Sequence, residues 1–165
     1  MTQLQIVTMG VYGFTSETFF PALLQARVDI FCDVRWRRGV RGAPYAFANS
    51  ERLQAKLQEL GIRYLYRRDL APDPTIRAIQ EEGDKARGIP KRSRERLEQD
   101  FVEAYRQRCL AQFDAQAFVE QLGQEEAHVV ALFCVEREPE ACHRSLIAQY
   151  LTRELKIQII HIKPS

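Results

Sequence analysis

An unbroken run of apolar residues, Val129-Val130-Ala131-Leu132-Phe133-Cys134-Val135, constrains the fold of this chain more than any other feature. The run is too short to cross a membrane, and its lack of alternation is typical of a strand covered on both faces, as in a parallel sheet. Further apolar runs predict strands over residues 4–9, 28–34 and 157–162, and a shorter alternating run predicts one over residues 62–66. Together with residues 128–135, these runs predict a five-stranded sheet.

Amphipathic segments separate these runs and predict helices. Pro21 lies inside the first segment, so we expect that helix to start later or to bend in its first turn. Asn49 or Ser50 can cap the second helix, and Gly61 can end it. Apolar side chains predict three more helices around residues 97–105, 118–122 and 146–151. This alternation predicts a three-layer α/β fold with a mainly parallel sheet and right-handed crossovers.

A basic insertion follows the third predicted strand. Residues 70–96 contain prolines, glycines and many cations, but no apolar pattern of their own. A connection of this length is usually a functional lid or a mobile segment, so we expect it to be the least structured part of the chain. A chain of 165 residues supports one core, so we treat residues 1–165 as one domain with an insertion or lid at about 70–96.

The overall charge excludes few functions, because 24 basic and 22 acidic residues give a formal net charge of +2. No stretch has the length and apolarity of a membrane-spanning helix, and the first residues lack the charged and apolar regions of a signal peptide. We therefore expect a cytoplasmic protein without a membrane partner. The 4 cysteines include no C-x-x-C pair and do not form the pattern of a disulfide framework, so we expect reduced thiols.

Polar side chains follow the predicted strands at the points where the strands end. Because ligands of parallel α/β sheets bind outside the carboxyl ends of the strands, these side chains are candidates for one common site. The candidates are Tyr12 after the first strand, Asp33 and Arg35 at the second, Cys134 and Glu136 at the fourth, and Cys142, His143 and Arg144 in the first turns of the next helix.

The sequence Cys142-His143-Arg144 offers the richest chemistry. A thiol at a helix N-terminus has its pKa lowered, and a neighbouring histidine and arginine add to this effect. Cys142 could then be a nucleophile or redox thiol and His143 could assist proton transfer, while Arg144 and Arg35 hold an anionic, phosphate-bearing substrate. Asp33 and Glu136 would orient the cations or serve as general base. The alternative is structural, with Cys142 packed in the helix and Arg144 paired with Asp33 or Glu136.

The other cysteines favour packing roles. Cys134 ends a buried strand and is expected to belong to the core, although its proximity to Cys142 leaves a reversible thiol switch open. Zinc is a weaker hypothesis, because Cys134, Cys142 and His143 lack the usual ligand spacing and no fourth ligand is evident. We therefore predict neither a metal nor a cofactor. Cys32 and Cys109 are expected to be structural.

Basic residues near two loops suggest a second function, the binding of a nucleic acid. Trp36 and Tyr45 alternate with cations, and the insertion adds a further basic run, so together they could form a positive rim that attracts phosphates. The candidate residues are Arg37, Arg38, Arg41, Lys91, Arg92 and Arg94. The alternative is a solvated basic loop. A Walker loop and the G-x-G-x-x-G, G-x-S-x-G and H-E-x-x-H motifs are all absent from the sequence.

The chain resembles, over its whole length, the prokaryotic family catalogued as domain of unknown function 488. The resemblance is carried by Thr8-Met9-Gly10, Asp33-Val34-Arg35, Leu60-Gly61-Ile62 with Tyr64, Cys134-Val135-Glu136 with Pro139, and Cys142-His143-Arg144. It implies that seven of the candidate residues match the family's hallmark positions, namely Asp33, Arg35, Cys134, Glu136, Cys142, His143 and Arg144. The chain departs from the family pattern at Val11-Tyr12-Gly13-Phe14 and at Leu70-Ala71-Pro72. The family has no settled activity, so the resemblance implies a fold and a site but no reaction.

Overall fold

The computed structural model describes residues 4–165, apart from the side chain of Arg92. Strands alternate with helices along this part of the chain, and three successive helices separate the third strand from the fourth. The strands are β1 (Gln5–Met9), β2 (Ile30–Asp33), β3 (Arg63–Tyr66), β4 (Val129–Phe133) and β5 (Ile159–Ile162). The helices are α1 (Ser16–Gln25), α2 (Ser50–Glu59), α3 (Pro74–Ala86), α4 (Gln99–Arg108), α5 (Ala115–Gln124) and α6 (His143–Leu155).

The five strands form one sheet in the order β3-β2-β4-β1-β5, and every pair is parallel. The predicted fold class is therefore confirmed. The unbroken apolar run supplies β4, which lies at the centre of the sheet and is buried at every position. Phe133 pairs with Met9 on one side and with Asp33 on the other. This register brings the ends of β1, β2 and β4 to the same level, which is the level of the candidate site.

The predicted helices form, and their ends follow local signals. α1 continues through Pro21, while Thr15 and Thr18 form a capping box at its start. Asn49 precedes α2, and Gly61 follows it with a φ of 76°, a conformation that glycine adopts at little cost. Within residues 4–165, no helix combines the length and the apolarity that crossing a bilayer requires.

The insertion is more ordered than its sequence indicates. Residues 74–86 form α3, which starts at Pro74 after Asp73 caps the backbone N–H of Ile76. The expectation of little structure is therefore wrong for this segment. α3 was missed because its buried face includes the polar residues Gln80 and Asp84, so the segment shows no simple apolar period.

Candidate functional site

The turn after β4 places two cysteines and a histidine next to each other. Pro139–Ala141 form a 3₁₀ turn, and α6 begins at His143 with Cys142 as its N-cap. Cys142 therefore precedes the first turn of the helix, one position earlier than predicted. The Ser145 hydroxyl donates to the Cys142 carbonyl oxygen at 2.8 Å and holds the thiol at the helix start.

The sulfur atoms of Cys134 and Cys142 and the Nδ1 atom of His143 lie within 4.8 Å of one another. The distance from Nδ1 to the Cys134 sulfur is 3.6 Å, and the distance to the Cys142 sulfur is 3.7 Å. All three side chains are buried. We call Cys134, Cys142 and His143 the sulfur–imidazole cluster.

A hydrogen bond on the side of the His143 ring away from the sulfur atoms determines which ring nitrogen carries the hydrogen and which one is the acceptor. His143 Nε2 lies 2.7 Å from the carbonyl oxygen of Val34. Because a carbonyl oxygen can only accept, Nε2 carries a hydrogen and donates it. In the neutral ring, Nδ1 then keeps its lone pair and can accept a proton from either thiol. Tyr105 packs beside the ring, with the two ring centroids 5.4 Å apart.

The two thiols of the cluster differ in acidity. Burial opposes the ionisation of Cys142, but the Cys134 thiol together with the charges of His143 and Arg144 outweighs it and lowers the pKa of Cys142 well below the usual value. Burial raises the pKa of Cys134, and the neighbouring Cys142 raises it further. Burial also opposes protonation of His143, yet Cys142 raises the net pKa of this ring. Cys142 is therefore the more acidic thiol of the pair.

Glu136 links the cluster to the insertion. Cys134 donates to Glu136 Oε2 at 3.7 Å, and Arg94 donates to Glu136 Oε1 at 3.2 Å. Arg94 also contacts Asp84 at 2.7 Å, and Lys91 lies 3.9 Å from the Glu136 carboxylate. Burial and then Cys142 raise the pKa of Glu136, although Lys91 and Arg94 act in the opposite direction. Arg94 is thus a buried connection between α3 and the site.

Asp33 and Arg35 are held by each other. Arg35 donates from Nε and Nη2 to the two carboxylate oxygens of Asp33, both at 2.9 Å, and from Nη1 to the Ala48 carbonyl oxygen. Asp33 also accepts from the Tyr64 hydroxyl at 2.6 Å. Burial, and then Asp33, raise the pKa of Tyr64 to about 12, so this hydroxyl stays protonated. Arg35 and Asp33 therefore form a buried ion pair.

Arg144 has no carboxylate partner among the described residues. Its Nη1 donates to the Glu136 carbonyl oxygen at 2.7 Å and its Nη2 to the Arg137 carbonyl oxygen at 3.2 Å, while Nε has no partner in the described part of the chain. The guanidinium is fully buried and holds the backbone that follows β4. Its contacts therefore differ from the predicted pairing with a carboxylate of Asp33 or Glu136.

A cleft of ≈ 730 Å³ opens above the cluster and includes Tyr12 in its wall. Among the described side chains, seven cationic ones line it, against three acidic ones. The cations are Arg35, Arg37, Arg41, Arg77, Lys85, Lys91 and Arg94, and the acids are Glu81, Asp84 and Glu136. Cys134, Cys142 and His143 belong to the same lining. The cluster therefore lies in a pocket with an excess of positive charge.

Some of the predicted basic residues line the cleft as exposed side chains, and others make contacts within the protein. Arg37, Arg41 and Lys91 are exposed and line the cleft, whereas Arg94 is buried in ion pairs. Arg38 lies over the Tyr66 ring at 4.2 Å. The side chain of Arg92 lies outside the described residues. The sequence did not indicate Arg77 as a site residue, because the helix that carries it was not predicted. The number of cations in the insertion does not show which of them line the cleft.

Comparison with known proteins gives one match. The sequence profile of the family described as "Domain of unknown function DUF488" matches residues 15–151, which include every residue of the sulfur–imidazole cluster. No curated protein and no solved structure matches the chain.

Proposed function

The chain belongs to the DUF488 family, and from its site we propose that it is an enzyme that binds a phosphate-bearing anion and attacks it with Cys142. One observation carries this proposal. A buried thiol next to an imidazole nitrogen lies in a cleft whose described lining includes seven cations and three acids. Such a cleft attracts anions, and a thiol paired with a base is an activated nucleophile.

The cations nearest to solvent are the ones proposed to bind the ligand. Lys85 is exposed on α3, and Lys91 is 46% exposed with a 3.9 Å contact to the Glu136 carboxylate, so both are available to a phosphate in the cleft. Arg35 and Arg94 already use their guanidinium groups on buried carboxylates. In our proposal Arg144 therefore positions the backbone that follows β4, Arg35 stays paired with Asp33, and Glu136 orients Arg94 and Lys91.

The proposed reaction proceeds in two steps. The Cys142 thiolate attacks phosphorus, a sulfur–phosphorus bond forms, and the bond from phosphorus to the leaving oxygen breaks while protonated His143 gives its proton to that oxygen. Water then attacks phosphorus and the sulfur–phosphorus bond breaks. One proton of this water returns to His143, inorganic phosphate leaves, and the thiolate is restored. An alcohol in place of water makes the same chemistry a transfer.

Kinetics with para-nitrophenyl phosphate test this proposal in chelator-treated, reduced protein. We expect Cys142→Ser to lower kcat at least about 1000-fold, because it removes the nucleophile. We expect the double variant Lys85→Gln/Lys91→Gln to raise KM about tenfold, because each exposed charge contributes up to about 1 kcal/mol.

Two variants serve as controls in this experiment. Cys109→Ser changes a thiol outside the cleft, and Lys56→Gln removes a cation on α2 outside it, so both should keep the wild-type constants. If the wild-type protein turned over the substrate no faster than the Cys142→Ser variant, this result would contradict the proposal that Cys142 is a catalytic nucleophile. An unchanged KM in the double variant would contradict the assignment of the anion site.

Binding of a single-stranded nucleic acid is the second candidate. Trp36 lines the cleft beside Arg37, and its ring lies 4.2 Å from the Arg68 guanidinium, so a ring and several cations are available to a base and its phosphates. Anisotropy of a labelled oligonucleotide distinguishes the two candidates. Affinity that falls steeply with salt and is unchanged in Cys142→Ser supports this candidate, and no binding at low salt excludes it.

A thiol switch remains a third proposal. The sulfur atoms of Cys134 and Cys142 lie within 4.8 Å, so a small movement would allow a disulfide. In the cytoplasm, which we propose as the location of the protein, both thiols would normally be reduced. Mild oxidant should give a linked peptide that contains both cysteines, and mass spectrometry that finds none would exclude the switch.

A further inference from the structure

We infer that the sulfur–imidazole cluster is a binding site for one zinc ion, with Cys134 Sγ, Cys142 Sγ and His143 Nδ1 as its ligands. The inference does not rest on the proposed function, because it concerns binding in the absence of a substrate. It goes beyond the sequence expectation of no metal, which relied on ligand spacing along the chain. In the fold, a strand end and a helix cap bring these three atoms within 4.8 Å.

The two nitrogen–sulfur distances within the cluster match the edges of a tetrahedral site. With Zn–S bonds of about 2.3 Å and Zn–N bonds of about 2.05 Å, a sulfur and a nitrogen ligand lie about 3.6 Å apart. His143 Nδ1 lies 3.6 Å from one sulfur and 3.7 Å from the other. The two sulfur atoms, which lie within 4.8 Å of each other, would stand about 3.8 Å apart around the ion, so at most a movement of about 1 Å completes the site.

The surroundings of His143 also fit a metal ligand. Metal-binding histidines commonly donate their other ring N–H to a carbonyl or carboxylate, which fixes the tautomer and the ring orientation. The hydrogen bond from Nε2 to the Val34 carbonyl does this here and leaves Nδ1 to coordinate. Thiolate and imidazole ligands together favour zinc over magnesium or calcium.

The charges of the ion and its ligands cancel, so a buried site can hold the ion. Two thiolates and a neutral imidazole around Zn²⁺ form a complex without net charge, so burial costs less than it does for an isolated thiolate. Formation of the complex releases protons, because both sulfur atoms bind as thiolates and the imidazole binds in its neutral form.

The three ligands leave one coordination position, and the cleft is the open space beside them. Three protein ligands with one open position are typical of reactive zinc sites, while structural sites use four. We assign the fourth position to a water molecule or to an oxygen of an anion in the cleft. A bound Zn²⁺ occupies the Cys142 sulfur, so the metal-bound and nucleophilic states exclude each other.

Cobalt titration of the reduced, metal-free protein tests the inference. About one equivalent of Co²⁺ should bind and give a thiolate-to-cobalt charge-transfer band with intense tetrahedral d–d bands, and Zn²⁺ should remove these bands. We expect Cys134→Ser and Cys142→Ser each to weaken Zn²⁺ binding at least about 100-fold, because loss of an outer-shell partner alone costs about 10- to 100-fold. Cys32→Ser and Cys109→Ser should bind like the wild type.

The wild-type spectrum decides the outcome even if a variant does not fold. Absence of the charge-transfer band at millimolar Co²⁺ would overturn the inference, as would folded Cys134→Ser or Cys142→Ser proteins that keep the wild-type Zn²⁺ affinity. These results would not contradict the proposed enzymatic activity, because the kinetics are measured with chelator-treated protein. Conversely, a protein that binds Zn²⁺ but does not turn over the phosphate ester supports the metal site alone.

Discussion

Replacing Gly10 by alanine is expected to lower the free energy of unfolding by about 3 kcal/mol or more, at the upper end of the cost of overpacking. A Cβ atom at this position would lie 1.9 Å from the Glu136 carbonyl oxygen and 3.2 Å from Arg144 Nη1. The obstructing oxygen is backbone, and it accepts the hydrogen bond from Arg144. Nearby, the Val11 and Tyr12 N–H groups both donate to the Val135 carbonyl oxygen, so the two segments cannot separate without further loss.

Urea unfolding followed by circular dichroism measures this effect, with Gly123→Ala as the control. A Cβ atom on Gly123 in α5 meets nothing within 4 Å, so alanine should leave stability unchanged or raise it by up to about 1 kcal/mol through helix propensity. If the Gly10→Ala substitution lowered the free energy of unfolding by less than about 1 kcal/mol, this result would contradict the close approach of the end of β1 to the backbone after β4.

The Asp33→Asn substitution is expected to cost about 3–5 kcal/mol, because it leaves the Arg35 guanidinium buried without an anion. The side chains of Arg35 and Asp33 are 1% and 0% exposed, so water cannot replace the lost charge. An amide also offers one acceptor oxygen where the carboxylate offers two, while Arg35 and Tyr64 together use both.

Asp69→Asn is the matched control for this substitution. Asp69 pairs with Arg67 at 2.8 Å, but its side chain is 57% exposed, so the same change should cost less than about 1 kcal/mol. Equal losses of stability in the two variants, measured by urea unfolding, would show that burial of the Asp33–Arg35 pair does not determine its contribution.

The sequence was sufficient to predict the elements in which local pattern and tertiary position agree. The apolar run that ends at Val135 predicts a fully covered strand, and β4 pairs on both sides at the centre of the sheet. The rule that ligands bind at the carboxyl ends of parallel strands then brings together Arg35, Cys134 and Glu136, all of which line the cleft.

The parts that could not be predicted depend on contacts between distant residues. Arg94 reaches Glu136 across 42 positions in the chain, so a residue that resembles part of a basic surface run is buried in ion pairs. α3 was missed because Gln80 and Asp84, on its buried face, satisfy each other through a hydrogen bond. The approach of the His143 Nδ1 atom to both sulfur atoms also depends on the fold of the turn between β4 and α6, which the spacing of the three residues along the chain did not indicate.

The central claim, that a reactive thiol lies within a positively charged cleft, is tested most directly by the alkylation rates of each cysteine with iodoacetate and iodoacetamide. Both reagents need the same thiolate, so the ratio of their rates reports the local potential and is independent of the fraction ionised. The measurement uses chelator-treated, reduced protein with site-resolved mass spectrometry.

At low salt we expect the rate with iodoacetate divided by the rate with iodoacetamide to be about tenfold higher at Cys142 than at Cys109, because a cationic cleft concentrates anions. At 1 M salt the two ratios should become similar, because salt screens the charges of the cleft. Cys109 lies outside the cleft lining and is the internal reference. Equal ratios at the two cysteines, or alkylation of Cys109 while Cys142 stays unmodified, would contradict the account.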